Sequence, residues 1–229
     1  VLVVEGLKHG FKGRVDADDT VLDIGRLTVG AGALTVITGP SGSGKTTLLY
    51  ALSGLLKATR GSIVWGETDI AGLGEGARDR WRRRNAGFVF QNFHLIEEMS
   101  AMMNVTVAAY FDGLSNARVR QRAHDLLTGF GVPDTSRSVA SFSRGEQQRV
   151  ALARALVFAP PIIFADEPTA SLDADNAARL ATQLGSLARE EGRTVLAVSH
   201  DVALIEAADE IIRLEHGRIS GPVAAGVAA

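Results

Sequence analysis

The sequence predicts an α/β fold: a core on a mostly parallel sheet, an N-terminal antiparallel β subdomain and an inserted α-helical subdomain. Three observations carry this reading. Short runs rich in Val, Ile or Phe alternate with helical patterns along most of the chain, as strand–helix–strand units do. The first 35 residues instead read as antiparallel strands, with turn residues at Asp18-Asp19 and at Gly30–Gly32. Residues from about 92 to 141 hold helical stretches and no clear strand.

The expected core strands are Leu34–Thr38, Gly87–Phe90, Ile162–Ala165, Val195–Val198 and Glu210–Leu214. All are short and apolar, as strands covered on both faces are. After Lys45, Leu48, Leu49, Leu52, Leu55 and Leu56 recur at one-face helical spacing, and Val150, Ala153 and Val157 do so after Gly145. Ala117–Phe130 reads as a helix stopped by Gly131 and Pro133. The helical subdomain is placed at about 92–155, within one domain spanning 1–229. His216-Gly217 reads as a turn into a last short strand, and 221–229 as a frayed tail of small residues.

Composition narrows the function classes. A net charge of −2 gives no global basic field, so nucleic acid is not an expected partner. The absence of cysteine excludes a disulfide scaffold and a thiolate metal site. No apolar run approaches the ~18 residues of a membrane span, and no basic-then-apolar leader opens the chain. The expectation is a cytoplasmic protein whose membrane role comes through a partner. Arg78, Arg80, Arg82, Arg83 and Arg84 form a basic run, read as a solvated helix face with some contact to the acidic surface, a partner or phospholipid-headgroup contact being the alternative. Trp81 is its only aromatic, too few for a base-stacking surface.

Gly39-Pro40-Ser41-Gly42-Ser43-Gly44-Lys45-Thr46 matches the phosphate-binding P-loop pattern in full, between an expected strand and an expected helix. Glycines there let backbone N–H groups turn inward around phosphate oxygens, and the helix N-terminus adds partial positive charge. Lys45 supplies a full charge for the β- and γ-phosphates. Thr46 offers a hydroxyl to Mg²⁺, which takes oxygen ligands. The core is thus expected to be a P-loop NTPase core.

Ile162–Ala165 runs into Asp166-Glu167. A buried strand ending in two carboxylates presents them at the sheet edge where ligands bind. Asp166 is expected to hold Mg²⁺ through water, and Glu167 to orient the attacking water as charge develops on the γ-phosphoryl oxygens. His200 follows the next parallel strand, on the same sheet edge, and is assigned to the γ-phosphate.

The order of these motifs resembles the ABC transporter ATPase family over almost the whole chain, from Leu2 to about Ile219. Gly39–Thr46 resembles its Walker A motif, Ile162–Glu167 its Walker B, and His200 its switch histidine. Gln91, after Gly87-Phe88-Val89-Phe90, is similar to the Q-loop glutamine. Ser141–Arg149 is similar to the family signature, and Ser171-Leu172-Asp173 to the D-loop.

The resemblance implies further roles. Gln91 would touch Mg²⁺ or the water. Thr47 would join the P-loop in holding ATP. Ser143 and Gly145 would contact the γ-phosphate of ATP held by a second copy, so that two chains face each other head to tail with Asp173 at their interface. Phe11 would stack on adenine, with His9 the alternative. A separate membrane permease would be the partner, with a groove beside Gln91 receiving one of its helices, a contact that charge substitutions near Asn92–Glu97 would disturb. That partner would hold the chain on the cytoplasmic face of the inner membrane.

Phe88–Leu95, Met103-Asn104-Val105 and Ala165–Thr169 resemble the lipoprotein-release and macrolide-export subunits, which implies export or lipid extraction. A regulatory ATPase of the cell-division kind, moving no substrate, would use the same residues and stays open at this point. The signature departs from the usual Leu-Ser-Gly-Gly-Gln: it reads Phe142-Ser143-Arg144-Gly145-Glu146. Glu146 would repel phosphate if it pointed inward, so Arg144 and Glu146 are expected to point away from the nucleotide, pairing with each other or with a partner.

Overall fold

The computed structural model describes residues 1–10, 20–111, 117–132, 134–220 and 224–225. Its central sheet contains β3 (Leu34–Thr38), β6 (Ala86–Val89), β7 (Ile162–Asp166), β8 (Thr194–Val198), β9 (Glu210–Glu215), β10 (Arg218–Ile219) and β11 (Ala224–Ala225). The order is β10-β9-β3-β8-β7-β6, with β11 also on β9. The pairs from β9 through β3, β8 and β7 to β6 are parallel; β10 and β11 run antiparallel to β9. Each expected core strand lies within about a residue of its expected bounds. The expected tail lies outside the described residues except Ala224–Ala225, which pair with Ile211 and Glu210.

Side chains alternate across this sheet, as a strand's two-residue period requires. Ile37, Phe164, Leu196 and Val198 face one core, shared with α1 (Lys45–Leu52) and the antiparallel sheet. Val36, Ile163, Ala165, Val195 and Ala197 face a second core under α6 (Ala174–Arg189) and α7 (Val202–Ala207). Both faces are covered, which is why the strands read as continuous apolar runs. Phe164 anchors the first core: its ring stacks on Phe88 at 5.4 Å and meets the edge of Trp65 at 5.9 Å.

The antiparallel sheet is only partly N-terminal. β1 (Leu2–Gly10) and β2 (Thr20–Val29) form its start, but β4 (Arg60–Trp65) and β5 (Thr68–Asp69) complete the order β2-β1-β4-β5. The sequence reading did not assign these two strands.

α2 (Glu75–Asn85) carries the basic run, and part of that run is not solvated. Arg78 is 8% exposed, and its stem packs against Gly54. Arg82 donates to the carbonyl of Gly54 and pairs with Asp79. Long basic stems bury readily while their heads find oxygen.

α3 (Ala101–Phe111), α4 (Ala117–Gly129) and α5 (Arg144–Leu156) close around a third core that includes Val105, Leu127, Val139 and Val150. Asn104, fully buried, is its polar pin. Its Oδ1 accepts from the Ile96 N–H at 2.8 Å, and its Nδ2 donates to the carbonyls of Ile96 and Ser100 at 3.0 and 3.1 Å. No helix among the described residues is long and apolar enough to cross a membrane.

Candidate active site

The P-loop joins the C-terminal end of β3 to α1. Gly39 has φ +145°, and a Cβ there would fall 2.0 Å from the Leu214 carbonyl oxygen, so only glycine fits. The loop is braced from the far end of the chain: the Gly217 N–H donates to the Ser43 carbonyl at 3.0 Å, and the Asp23 N–H donates to the Gly217 carbonyl at 2.8 Å. Gly217 has φ +74° and lies so near Val21 that a Cβ would overlap its carbonyl. Antiparallel sheet, P-loop and the turn between β9 and β10 therefore form one rigid mount.

Lys45 Nζ donates to the carbonyls of Gly39 and Pro40, both at 3.0 Å, so the loop curls around its own lysine. Ser43 Oγ is buried without a hydrogen-bond partner, and a Cβ at Gly42 would meet nothing within 4 Å. An orphaned hydroxyl, an open glycine cradle and a lysine fit a polyphosphate.

Asp166 ends β7 and is 7% exposed. Thr46 Oγ1 donates to its Oδ1 at 2.9 Å, and the Tyr50 hydroxyl donates to its Oδ2 at 2.9 Å. Burial, followed by the bond to Asp166, pushes the Tyr50 phenol up to about 12. Thr46, Asp166 and the Gln91 amide offer neutral and anionic oxygens, a set that suits a hard cation such as Mg²⁺.

Glu167 has φ +45°, an uncommon value for a residue with a side chain. Its N–H bonds back to the Val198 carbonyl at 2.9 Å, which holds the turn and sends the carboxylate off the strand line. His200 Nδ1 lies 3.2 Å from Oε1 and 3.1 Å from Oε2 of Glu167, with hydrogen-bond geometry to Oε1. The carboxylate favours a proton on Nδ1 and leaves Nε2 for another partner. A cavity of about 390 Å³ is lined by Val21, Ser41, Gly42, Gly44, Lys45, Thr46, Thr47, Gln91, Glu167, Ala170 and His200. Residues from five separate stretches of sequence converge there, beside buried Asp166.

Phe11 lies outside the described residues. His9, its alternative, is 7% exposed with Nδ1 3.1 Å from the Lys57 carbonyl, so its ring presents no face for stacking. Ser143 and Gly145 sit at the start of α5, apart from the cavity lining. Gly145 is buried beside Asn176, while Asp173 is exposed and caps α6, its Oδ1 accepting from the Asn176 N–H at 2.9 Å. That bond leads the causes that hold the Asp173 carboxyl below the usual range.

The signature's two departures behave differently from each other. Arg144 is exposed, and its guanidinium donates to Gln147 Oε1 at 3.4 Å. Among the described residues Glu146 pairs with Ser143 rather than with Arg144. Its Oε2 accepts from the Ser143 N–H at 2.7 Å and from the Ser143 hydroxyl at 2.8 Å, a capping box on α5. A carboxylate in the first turn of a helix is favourable for its dipole, and here it also caps the helix start. Ser143-x-x-Glu146 is itself a capping-box pattern, and the unpaired N–H groups at a helix start draw the carboxylate inward.

Sequence reasoning also missed Tyr50 and Arg154. Tyr50 is four residues after Thr46, on the same helix face, a spacing that could have flagged it. Arg154 donates to the carbonyls of Phe93 and His94 just after Gln91, tying α5 to that loop across 60 residues; no local pattern announces it.

The family model described as ABC transporter matches residues 22–170. The chain belongs to the ABC transporter family. It is 39% identical over 222 residues to the lipoprotein-releasing system ATP-binding protein LolD of Cereibacter sphaeroides, covering 96% of this chain and 98% of that one. It is 37% identical over 220 residues to the macrolide export ATP-binding/permease protein MacB 1 of Yersinia pestis bv. Antiqua, covering 96% of this chain and 34% of that one. Among solved structures, the dimeric post-hydrolysis state of the ATP-binding cassette MJ0796 bound to ADP and Pi superposes with a TM-score of 0.87. The two are 32% identical, with 96% and 97% of the chains covered. The helical subdomain, α3 to α5, is inserted between β6 and β7 of the central sheet.

Proposed function

We propose that this chain is the ATP-hydrolysing subunit of a membrane transporter, with two copies closing head to tail around two Mg-ATP to drive a separate permease. The observation that carries this reading is the convergence of P-loop, Gln91, Glu167 and His200 on one cavity beside Asp166. The similarity to LolD and MacB supports export, or extraction of lipid or lipoprotein, as the work done.

In this reading the P-loop N–H groups and Lys45 hold the β- and γ-phosphates. Mg²⁺ bound at Thr46, Gln91 and Asp166 would neutralise charge that builds on the phosphate oxygens. Glu167 orients a water for attack on the γ-phosphorus: one P–O bond forms, the bond to the bridging oxygen breaks, and ADP and phosphate result. His200 holds Glu167 through Nδ1 and offers Nε2 toward the γ-phosphate. The cavity of a single chain lacks Ser143 and Gly145, and a second copy supplies them across the interface at Asp173.

The permease contact is assigned to a groove of about 640 Å³ beside Gln91, lined by Phe88, Phe90, His94, Arg82, Arg83 and Arg154 among others. Its apolar floor suits the apolar face of a short helix. The permease would hold the chain at the cytoplasmic face of the inner membrane.

Sedimentation of the Glu167→Gln protein tests the central claim. With saturating Mg-ATP and the permease present it should run as a nucleotide-dependent dimer of this chain. A species that stays monomeric for this subunit would remove the shared-site reading.

A further inference from the structure

Thr46 and Tyr50 lie one turn apart on α1, and their hydroxyls grip opposite oxygens of the Asp166 carboxylate, each at 2.9 Å. The two bonds differ in consequence. Thr46 Oγ1 spends its proton on Oδ1, which leaves its lone pairs free for a cation. The Tyr50 phenol spends its proton on Oδ2 and has a ring packed against the core shared by α1 and the sheet, so it cannot follow a cation.

A carboxylate's terminal torsion is broad and roughly two-fold. Without a second restraint, Asp166 could swing about that bond while still accepting from Thr46. Its backbone is fixed in a fully buried strand, so the torsion is its main remaining freedom. Tyr50 removes that freedom with a neutral donor and adds no charge that would compete with a cation.

We propose that Tyr50 is a positioning residue for the divalent cation of the nucleotide site, locking Asp166 in the orientation that receives the metal. The proposal rests on the reading of this cavity as a Mg-ATP site. Partners one shell out from a metal ligand typically govern metal affinity by about 10- to 100-fold.

Tyr50→Phe keeps the ring and deletes the donor. Binding of Mn²⁺ to the nucleotide complex, followed by electron paramagnetic resonance, should weaken about tenfold. The Mg²⁺ concentration for half-maximal hydrolysis should rise by a similar factor. Nucleotide affinity measured in EDTA should stay within about twofold of wild type, since no metal is involved there.

Unchanged Mn²⁺ affinity would overturn the proposal. So would an equal loss of nucleotide affinity in EDTA, which would mark Tyr50 as mere packing for α1. A wild-type chain that binds no nucleotide would overturn the Mg-ATP reading and this proposal together, so the two failures are distinguishable.

Discussion

His200 Nδ1 stands 3.2 Å from Glu167 Oε1, a contact between the ends of two neighbouring parallel strands and across 33 residues of sequence. Glu167 sits on a left-handed turn, and the His200 ring gives its carboxylate a lateral hold. His200→Ala should therefore lower ATP hydrolysis by about 100-fold, within the range for losing a positioned acid–base group. Nucleotide affinity should stay within a few-fold. Phosphate release and equilibrium nucleotide binding, measured on the same preparation, check both halves.

Lys45 holds its own loop through the carbonyls of Gly39 and Pro40, and both bonds can be traded for phosphate oxygens when ATP arrives. A charge-assisted bond is worth about 1.5–3 kcal/mol, or roughly 10- to 100-fold in affinity. Lys45→Ala should weaken ATP binding by that factor, read by isothermal titration. The fold should persist, because the glycine contacts that brace the loop are untouched.

The carboxyl of Glu146 is held below the usual range, first by the Ser143 N–H and then by the Ser143 hydroxyl. Its folded pKa lies below its unfolded one. The stabilisation is therefore complete above the unfolded value, near ~4.3, and is lost as pH falls through the folded value. Glu146→Gln has no such titration. Its melting temperature should sit slightly below wild type at pH 7, by a cap's worth of about 1 kcal/mol or less. The gap should close as pH drops below about 4. Thermal unfolding from pH 7 down to about 2.5 tests the sign.

Asn104→Ala would strand the Ile96 N–H and the carbonyls that its amide now satisfies. Buried groups left unpaired cost about 1–3 kcal/mol each, and relaxation of the loop recovers part. The expected loss is about 2–4 kcal/mol in urea unfolding. Because Asn104 pins the loop that follows Gln91, permease-stimulated hydrolysis should fall more than basal hydrolysis.

The P-loop, the Asp166-Glu167 pair and the core strands were legible because each is local. A loop of fixed spacing, or a short apolar run ending in carboxylates, shows itself within a dozen residues. The signature was legible only through resemblance, and the cap that Glu146 places on Ser143 went unread although the pattern Ser143-x-x-Glu146 was in plain view. β4 and β5 were missed for a different reason: a strand's partner is set by packing, and Leu2 pairs with Trp65 across 63 residues.

The sequence by itself determined which chemistry this chain carries, since oxygen ligands, a lysine and a glycine loop in that order admit little but a nucleoside polyphosphate and its metal. Tertiary structure alone decided how those groups are held: Tyr50 on the second oxygen of Asp166, His200 on Glu167, Arg154 on the loop after Gln91, Gly217 beneath Ser43. The reason is physical. Ligand chemistry is a property of residue type and near neighbours, whereas orientation comes from hydrogen bonds between segments that only the packed sheet brings within 3 Å or so of each other.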